Sequence, residues 1–101
     1  MTYSVAKSSL NMYVKGISKH LALQGIRINA VAPGNILFKG SVWDRKLKTN
    51  PKEVKKMLKK EVAMNRLGNP EEIASMVAFL SSSRSSFTTG AIFVVDGGQT
   101  K

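Results

Sequence analysis

Tyr3 and Lys7 stand four residues apart in a chain of 101 residues. On a helix that spacing puts a phenol and an ammonium one turn apart on the same face. A phenol with a pKa of about 10 exchanges protons poorly at neutral pH, but a cation held beside it favours the phenolate and lowers that value. Tyr3 could then pass a proton to or from an alcohol or carbonyl, and Lys7 would keep donors over for a sugar hydroxyl. Spacing alone is thin support, because any lysine-rich helix offers such pairs. Placement adds to it. Both residues extend the stripe Leu10, Val14, Ile17 and Leu21, whereas Lys15 and Lys19 point to the other side. Lys7 is therefore expected to face inward, where an unpaired cation is costly. The alternative is a loose chain start that leaves both side chains in water.

Other chemistries are less well supplied. The sequence has no cysteine and one histidine, His20, which excludes disulfides and thiolate metal sites and leaves no metal centre to expect. No apolar run approaches the roughly 18 residues of a membrane span. The first residues have no signal-peptide core, so a soluble cytoplasmic protein is expected. The net charge is +10. Much of it lies between Lys39 and Lys60, where Lys52, Lys55, Lys56, Lys59 and Lys60 share one side of an expected helix. Such a stripe could contact the phosphates of a nucleic acid, which makes a small basic binding module the alternative function. A solvated face is the preferred reading, because Val54, Met57, Leu58 and Val62 form an opposite apolar face and no aromatic residue interleaves with the lysines.

The elements that must position these residues follow from periodicity and end signals. The stripe predicts a helix over 3–23, closed by Gly25. Residues 26–32, IRINAVA, alternate as a strand ended by Pro33 and Gly34. NPKE at 50–53 and NPEE at 69–72 carry the same start signal, Asn as N-cap, Pro at the first helical position and Glu to close a capping box. They predict helices over 51–64 and 70–81. A serine-rich turn at 81–86 precedes AIFVV at 91–95, a continuously apolar strand of the kind covered on both faces. The order helix, strand, helix, helix, strand implies an α/β fold with a crossover between two parallel strands. A two-stranded sheet is marginal alone, so further strands are expected to pair with it.

Four stretches together carry a family resemblance: YSVAKSSL at 3–10, RINAVAPGNI at 27–36, RLGNPEEIA at 66–74 and TGAIFVVDGG at 89–98. In order and spacing they resemble the C-terminal half of a short-chain dehydrogenase/reductase. The resemblance implies a partial Rossmann-like, doubly wound parallel sheet and an oxidoreductase that moves hydride between NAD or NADP and a secondary alcohol or ketone. By it, Tyr3 matches the general acid/base. Lys7 matches the lysine that tunes that tyrosine and binds the nicotinamide ribose. Pro33, Gly34, Asn35 and Ile36 match the loop that meets the nicotinamide and its carboxamide. Phe38, Val42, Trp43 and Met64 fall where the family often places a mobile segment over a small-molecule substrate. Homo-oligomers are implied as well.

Two departures stand out. Phe38 replaces a threonine whose hydroxyl commonly helps hold the cofactor. The family's glycine-rich nucleotide fingerprint, its active-site serine and its asparagine would precede Tyr3, and Gly16, Gly25, Gly34 and Gly40 are too dispersed to replace a phosphate-binding turn. Residues 1–101 are accordingly expected to form a single incomplete domain, a fragment without the dinucleotide-binding half and inactive by itself.

Overall fold

The computed structural model describes residues 2–99, with side chains described from residue 6 onward. The chain is α/β, with elements α1 (Thr2–Ala22), β1 (Ala30–Pro33), α2 (Val42–Thr49), α3 (Pro51–Glu61), α4 (Pro70–Leu80), a 3-10 turn at Ser83–Ser85, and β2 (Ile92–Val95). β1 and β2 form a two-stranded sheet. Ala30 N–H donates to Ala91 C=O and Gly34 N–H to Val95 C=O, both at 2.9 Å, so the two strands advance in step and are parallel. Two compact units are interleaved along the chain. One holds the residues up to Val31 together with Val77–Phe93, and the other holds Ala32–Met76 and the residues from Val94 on.

In the first unit, α1 ends as its glycine predicts. Gly25 takes φ +76°, Ile26 N–H reaches back to Leu21 C=O at 2.9 Å, and Gly25 N–H reaches Ala22 C=O at 3.0 Å. This pair of bonds is a Schellman motif, which satisfies carbonyls that the helix end would leave orphaned. The expected strand over 26–32 is shorter and starts at Ala30. Residues 27–29 hold the 82–91 segment chiefly with side chains, beside one backbone bond from Gly90 N–H to Ile28 C=O at 2.7 Å. The Arg27 guanidinium donates to Ser85 Oγ, Thr88 C=O and Ser82 C=O at 3.1 to 3.3 Å. Asn29 donates to Thr88 C=O and accepts from Ala91 N–H, while Thr89 Oγ1 accepts from Ile28 N–H. The serine-rich turn is organised in the same place, with buried Ser85 donating to Leu80 C=O at 2.9 Å.

In the second unit the structure adds a helix that the strand-and-helix pattern does not predict. α2 is started by Ser41, whose Oγ accepts from Asp44 N–H at 3.1 Å, while Asp44 Oδ2 accepts from Gly40 N–H at 2.9 Å. This is a near relative of the capping box. α3 follows with a single residue between, and the two copies of the Asn-Pro signal behave differently. Asn69 and Glu72 exchange both capping bonds at 3.0 Å. Asn50 makes no side-chain cap bond. Its N–H is committed to Lys46 C=O at 2.7 Å as the end of α2, which holds its backbone at φ −150° and ψ 64° and out of capping geometry. α3 also stops earlier than position 64. Val62 leaves helical geometry, Met64 N–H donates to Gly97 C=O, and a Cβ on Gly98 would lie 2.6 Å from that of Ala63. The turn after α3 is thus drawn against the Gly97-Gly98 turn after β2. Val54 and Val62 are buried here, while the five lysines of the α3 stripe are exposed, as a solvated face requires.

Candidate functional site

α1 carries Tyr3 and Lys7 on successive turns within the first unit. The Tyr3 side chain lies outside the described residues. Lys7 is exposed, which corrects the expectation that it faces inward. The stripe it extends is covered only towards its C-terminal end: Leu10 is 53% exposed, Val14 only 5%, and Ile17 and Leu21 are half-buried. Packing within this unit reaches the later turns, where Gly90 approaches Ser18 so closely that a Cβ would stand 2.5 Å from its Oγ. Exposure removes the solvation argument for a special Lys7. The pairing of Tyr3 with Lys7 therefore rests on the helical spacing and the family pattern.

Pro33, Gly34, Asn35 and Ile36 belong to the second unit, and four contacts fix their path. Gly34 is required by a backbone approach, since a Cβ there would lie 2.6 Å from the Cβ and 2.7 Å from the Cα of Asp96. Its N–H is held by Val95 C=O. Beyond it, Asn35 C=O accepts from Gly68 N–H at 2.9 Å, and Leu37 N–H donates to Gly68 C=O at 2.8 Å, a parallel bridge between Ile36 and Gly68. No hydrogen bond among the described residues takes the backbone N–H of Asn35 or of Ile36. Asn35 and Ile36 line a cavity of about 280 Å³, whose wall also includes Met64, Arg66, Glu72 and Asp96. Two adjacent N–H donors on a braced loop at a cavity wall suit a neutral amide oxygen as acceptor.

The four residues expected to cover a substrate do not form one wall. Met64 lines the cavity just described, while half-buried Trp43 lines a second cleft of about 270 Å³ with Val54 and Met57, and Lys46 sits 4.7 Å from its ring centroid. Phe38 and Val42 are exposed and line neither. Val42 and Trp43 are neighbours on α2, about 100° apart around its axis, so they face different sides.

Arg66, Glu72 and the Asp96-Gly97-Gly98 turn are additions to the residues singled out by chemistry. Arg66 Nη1 and Nη2 grip Glu72 Oε1 and Oε2 at 2.9 and 2.7 Å. The Arg66 guanidinium, with the Asn69 N–H, holds the Glu72 carboxyl down to a pKa of about 2. The signal for the turn was present as DGG after an apolar strand, and both glycines take positive φ, +65° and +87°.

Over residues 1–100 the sequence matches the family model described as enoyl-(acyl carrier protein) reductase, and the chain belongs to the short-chain dehydrogenase/reductase family. It is 38% identical over 96 residues to isoepoxydon dehydrogenase of Penicillium expansum, covering 95% of this chain and 37% of that protein. Among solved structures it resembles L-sorbose reductase from Gluconobacter frateurii complexed with NADPH and L-sorbose, with a TM-score of 0.85, 30% identity, and coverage of 98% of this chain and 40% of that one. It also resembles a 3-oxoacyl-[acyl-carrier protein] reductase with bound NAD from Brucella melitensis, with a TM-score of 0.73, 34% identity, and coverage of 95% and 32%. The chain thus spans about a third to two-fifths of the length of these relatives. These relatives support a Rossmann-type oxidoreductase and lend nothing to the nucleic-acid alternative.

Proposed function

We propose that this chain is the C-terminal portion of a short-chain dehydrogenase/reductase subunit that interconverts a secondary alcohol and a ketone with NAD or NADP. The observation that carries the reading is the Pro33–Ile36 loop. It is braced on Val95 and Gly68 and has the N–H groups of Asn35 and Ile36 left over, a donor set that fits the carboxamide of a nicotinamide. Bound there, the nicotinamide supplies or accepts the hydride. Tyr3 handles the proton on the substrate oxygen, and Lys7 favours its phenolate form and binds the ribose. The loop needs no side chain for its contact, so Phe38 in place of a threonine is compatible with it. Met64 at the cavity wall is a substrate contact in this reading. The subunit is a homo-oligomer, supported by exposed Leu10, Met12 and Tyr13 on α1.

The test is kinetic and uses the full-length protein with NADH or NADPH and a panel of ketones. Tyr3→Phe is expected to remove nearly all turnover, and Lys7→Met to cost somewhat less while raising the KM for cofactor. Residues 1–101 expressed alone are expected to show no turnover above buffer. A Tyr3→Phe protein with wild-type kcat overturns the assignment.

A further inference from the structure

Gly68 makes two hydrogen bonds to the loop on which the proposed function rests, one by its N–H to Asn35 C=O and one by its C=O from Leu37 N–H. Gly68 has no side chain with which to fix itself, and a Cβ there would meet Ile36 Cδ1 at 2.9 Å. Its position is set from both sides by neighbours that converge on one carboxylate. On the N-terminal side, Arg66 binds Glu72 through two parallel bonds and also donates to Leu67 C=O at 3.2 Å. On the C-terminal side, Asn69 N–H donates to Glu72 Oε1, and Glu72 N–H donates to Asn69 Oδ1. The segment 66–69 is thereby folded over the first turn of α4, with Glu72 accepting bonds from both flanks of Gly68. Fork-to-fork Arg–carboxylate geometry is directional, so it orients as well as attracts.

We propose that Glu72 is a positioning residue for the nicotinamide loop: through Arg66 and Asn69 it holds Gly68 where its backbone braces Asn35 and Leu37. The proposal rests on the reading of Pro33–Ile36 as cofactor-binding only for its functional consequence, since the bracing itself involves no ligand. Glu72 also stands on the wall of the cavity that Asn35 and Ile36 line, but its two flanking bonds spend it on Arg66 and Asn69 and it supplies no reacting group. Its loss therefore misplaces the Asn35 and Ile36 donors without removing a reacting group.

Amide hydrogen exchange on the full-length protein, read at Gly68 and Leu37, tests the bracing with no cofactor present. Glu72→Ala is expected to speed exchange at both amides about tenfold, the scale of a lost cap, while Ala30 and Gly90 keep their protection. Glu72→Gln retains an acceptor for Asn69 N–H but turns a neutral amide to Arg66, and is expected to fall between, at about threefold. If the alanine variant loses protection throughout, the glutamine variant carries the test. Unchanged exchange at Gly68 and Leu37 in the folded variants overturns the proposal. In parallel, NADH titration by fluorescence is expected to show weakened binding, with the KM for cofactor raised and kcat kept within about twofold. Selective loss of protection without any change in NADH affinity supports the bracing, and then it is the nicotinamide reading of the loop that fails.

Discussion

Arg66 and Glu72 meet fork to fork at 2.7 and 2.9 Å on the surface of the protein, six residues apart, with the reciprocal Asn69–Glu72 cap inside their loop. Because the same carboxylate serves both, one titration reports on both.

Glu72 has its pKa lowered from 4.5 to about 2, first by its bond with Arg66 and then by the Asn69 N–H. A depressed carboxyl pKa means that the unfolded chain binds the extra proton first, so the contribution is fully present above about pH 4.5 and is lost as pH falls towards 2. Asp96 lines the same cavity and is the other acid there. The urea midpoint of the wild type is expected to fall between pH 5 and 2.5, and that of Glu72→Gln to fall less. Parallel curves for the two proteins would show that Glu72 does not report the transition.

The two Asn-Pro helix starts are expected to differ when tested. Asn69→Ala removes a made capping bond and should cost about 1 kcal/mol, whereas Asn50→Ala removes none and should cost no more than about 0.3 kcal/mol. Denaturant midpoints of the two variants check this, and equal losses would contradict the cap geometry.

Three glycines give a graded series. Gly34→Ala drives a Cβ into the Asp96 backbone and should cost about 1 to 3 kcal/mol. Gly25→Ala has open space but φ +76°, so the cost is backbone strain alone, about 1 kcal/mol. Gly16, inside α1 with nothing within 4 Å, should tolerate alanine with a gain of about 0.5 to 1 kcal/mol. Thermal melts should rank the three in that order.

The α3 lysines are exposed, and replacing Lys55, Lys56 and Lys59 by Gln is expected to leave kcat and cofactor KM within about twofold. Kinetics at two ionic strengths decide it, because a loss confined to low salt would mean that the stripe steers an anionic substrate or cofactor.

Much of this architecture could be read from local signals. The Gly25 stop and the Asn69–Glu72 box each name a structure whose bonds lie within a few residues. The readings that changed depend on distant partners. Arg27 and Asn29 looked like the polar side of an alternating strand, but they are anchors for Ser85 and Thr88, 58 and 59 residues away. Asn50 carries a complete N-cap signal and fails to use it, because closing α2 holds its backbone at φ −150° and ψ 64°, out of capping geometry. α2 has its own local start signal, S-x-x-D at 41–44, set in a run whose lysines and single tryptophan give it no apolar stripe. Lys7 lies on the stripe and is exposed nonetheless, because a helix stripe shows which residues share a face and says nothing of how far along that face the neighbouring segment extends.

Asn50 also ends one helix and begins the next, so the connection between α2 and α3 contains a single residue. Any reorientation of α2 relative to α3 must pass through the two torsions of that residue. The segment 42–61 is therefore a pair of helices joined at one residue, and its two arms line one cleft through Trp43 and Lys46 on α2 and Val54 and Met57 on α3. The contacts between its two arms are all short in sequence, so it can form early during folding, before the chain reaches β2.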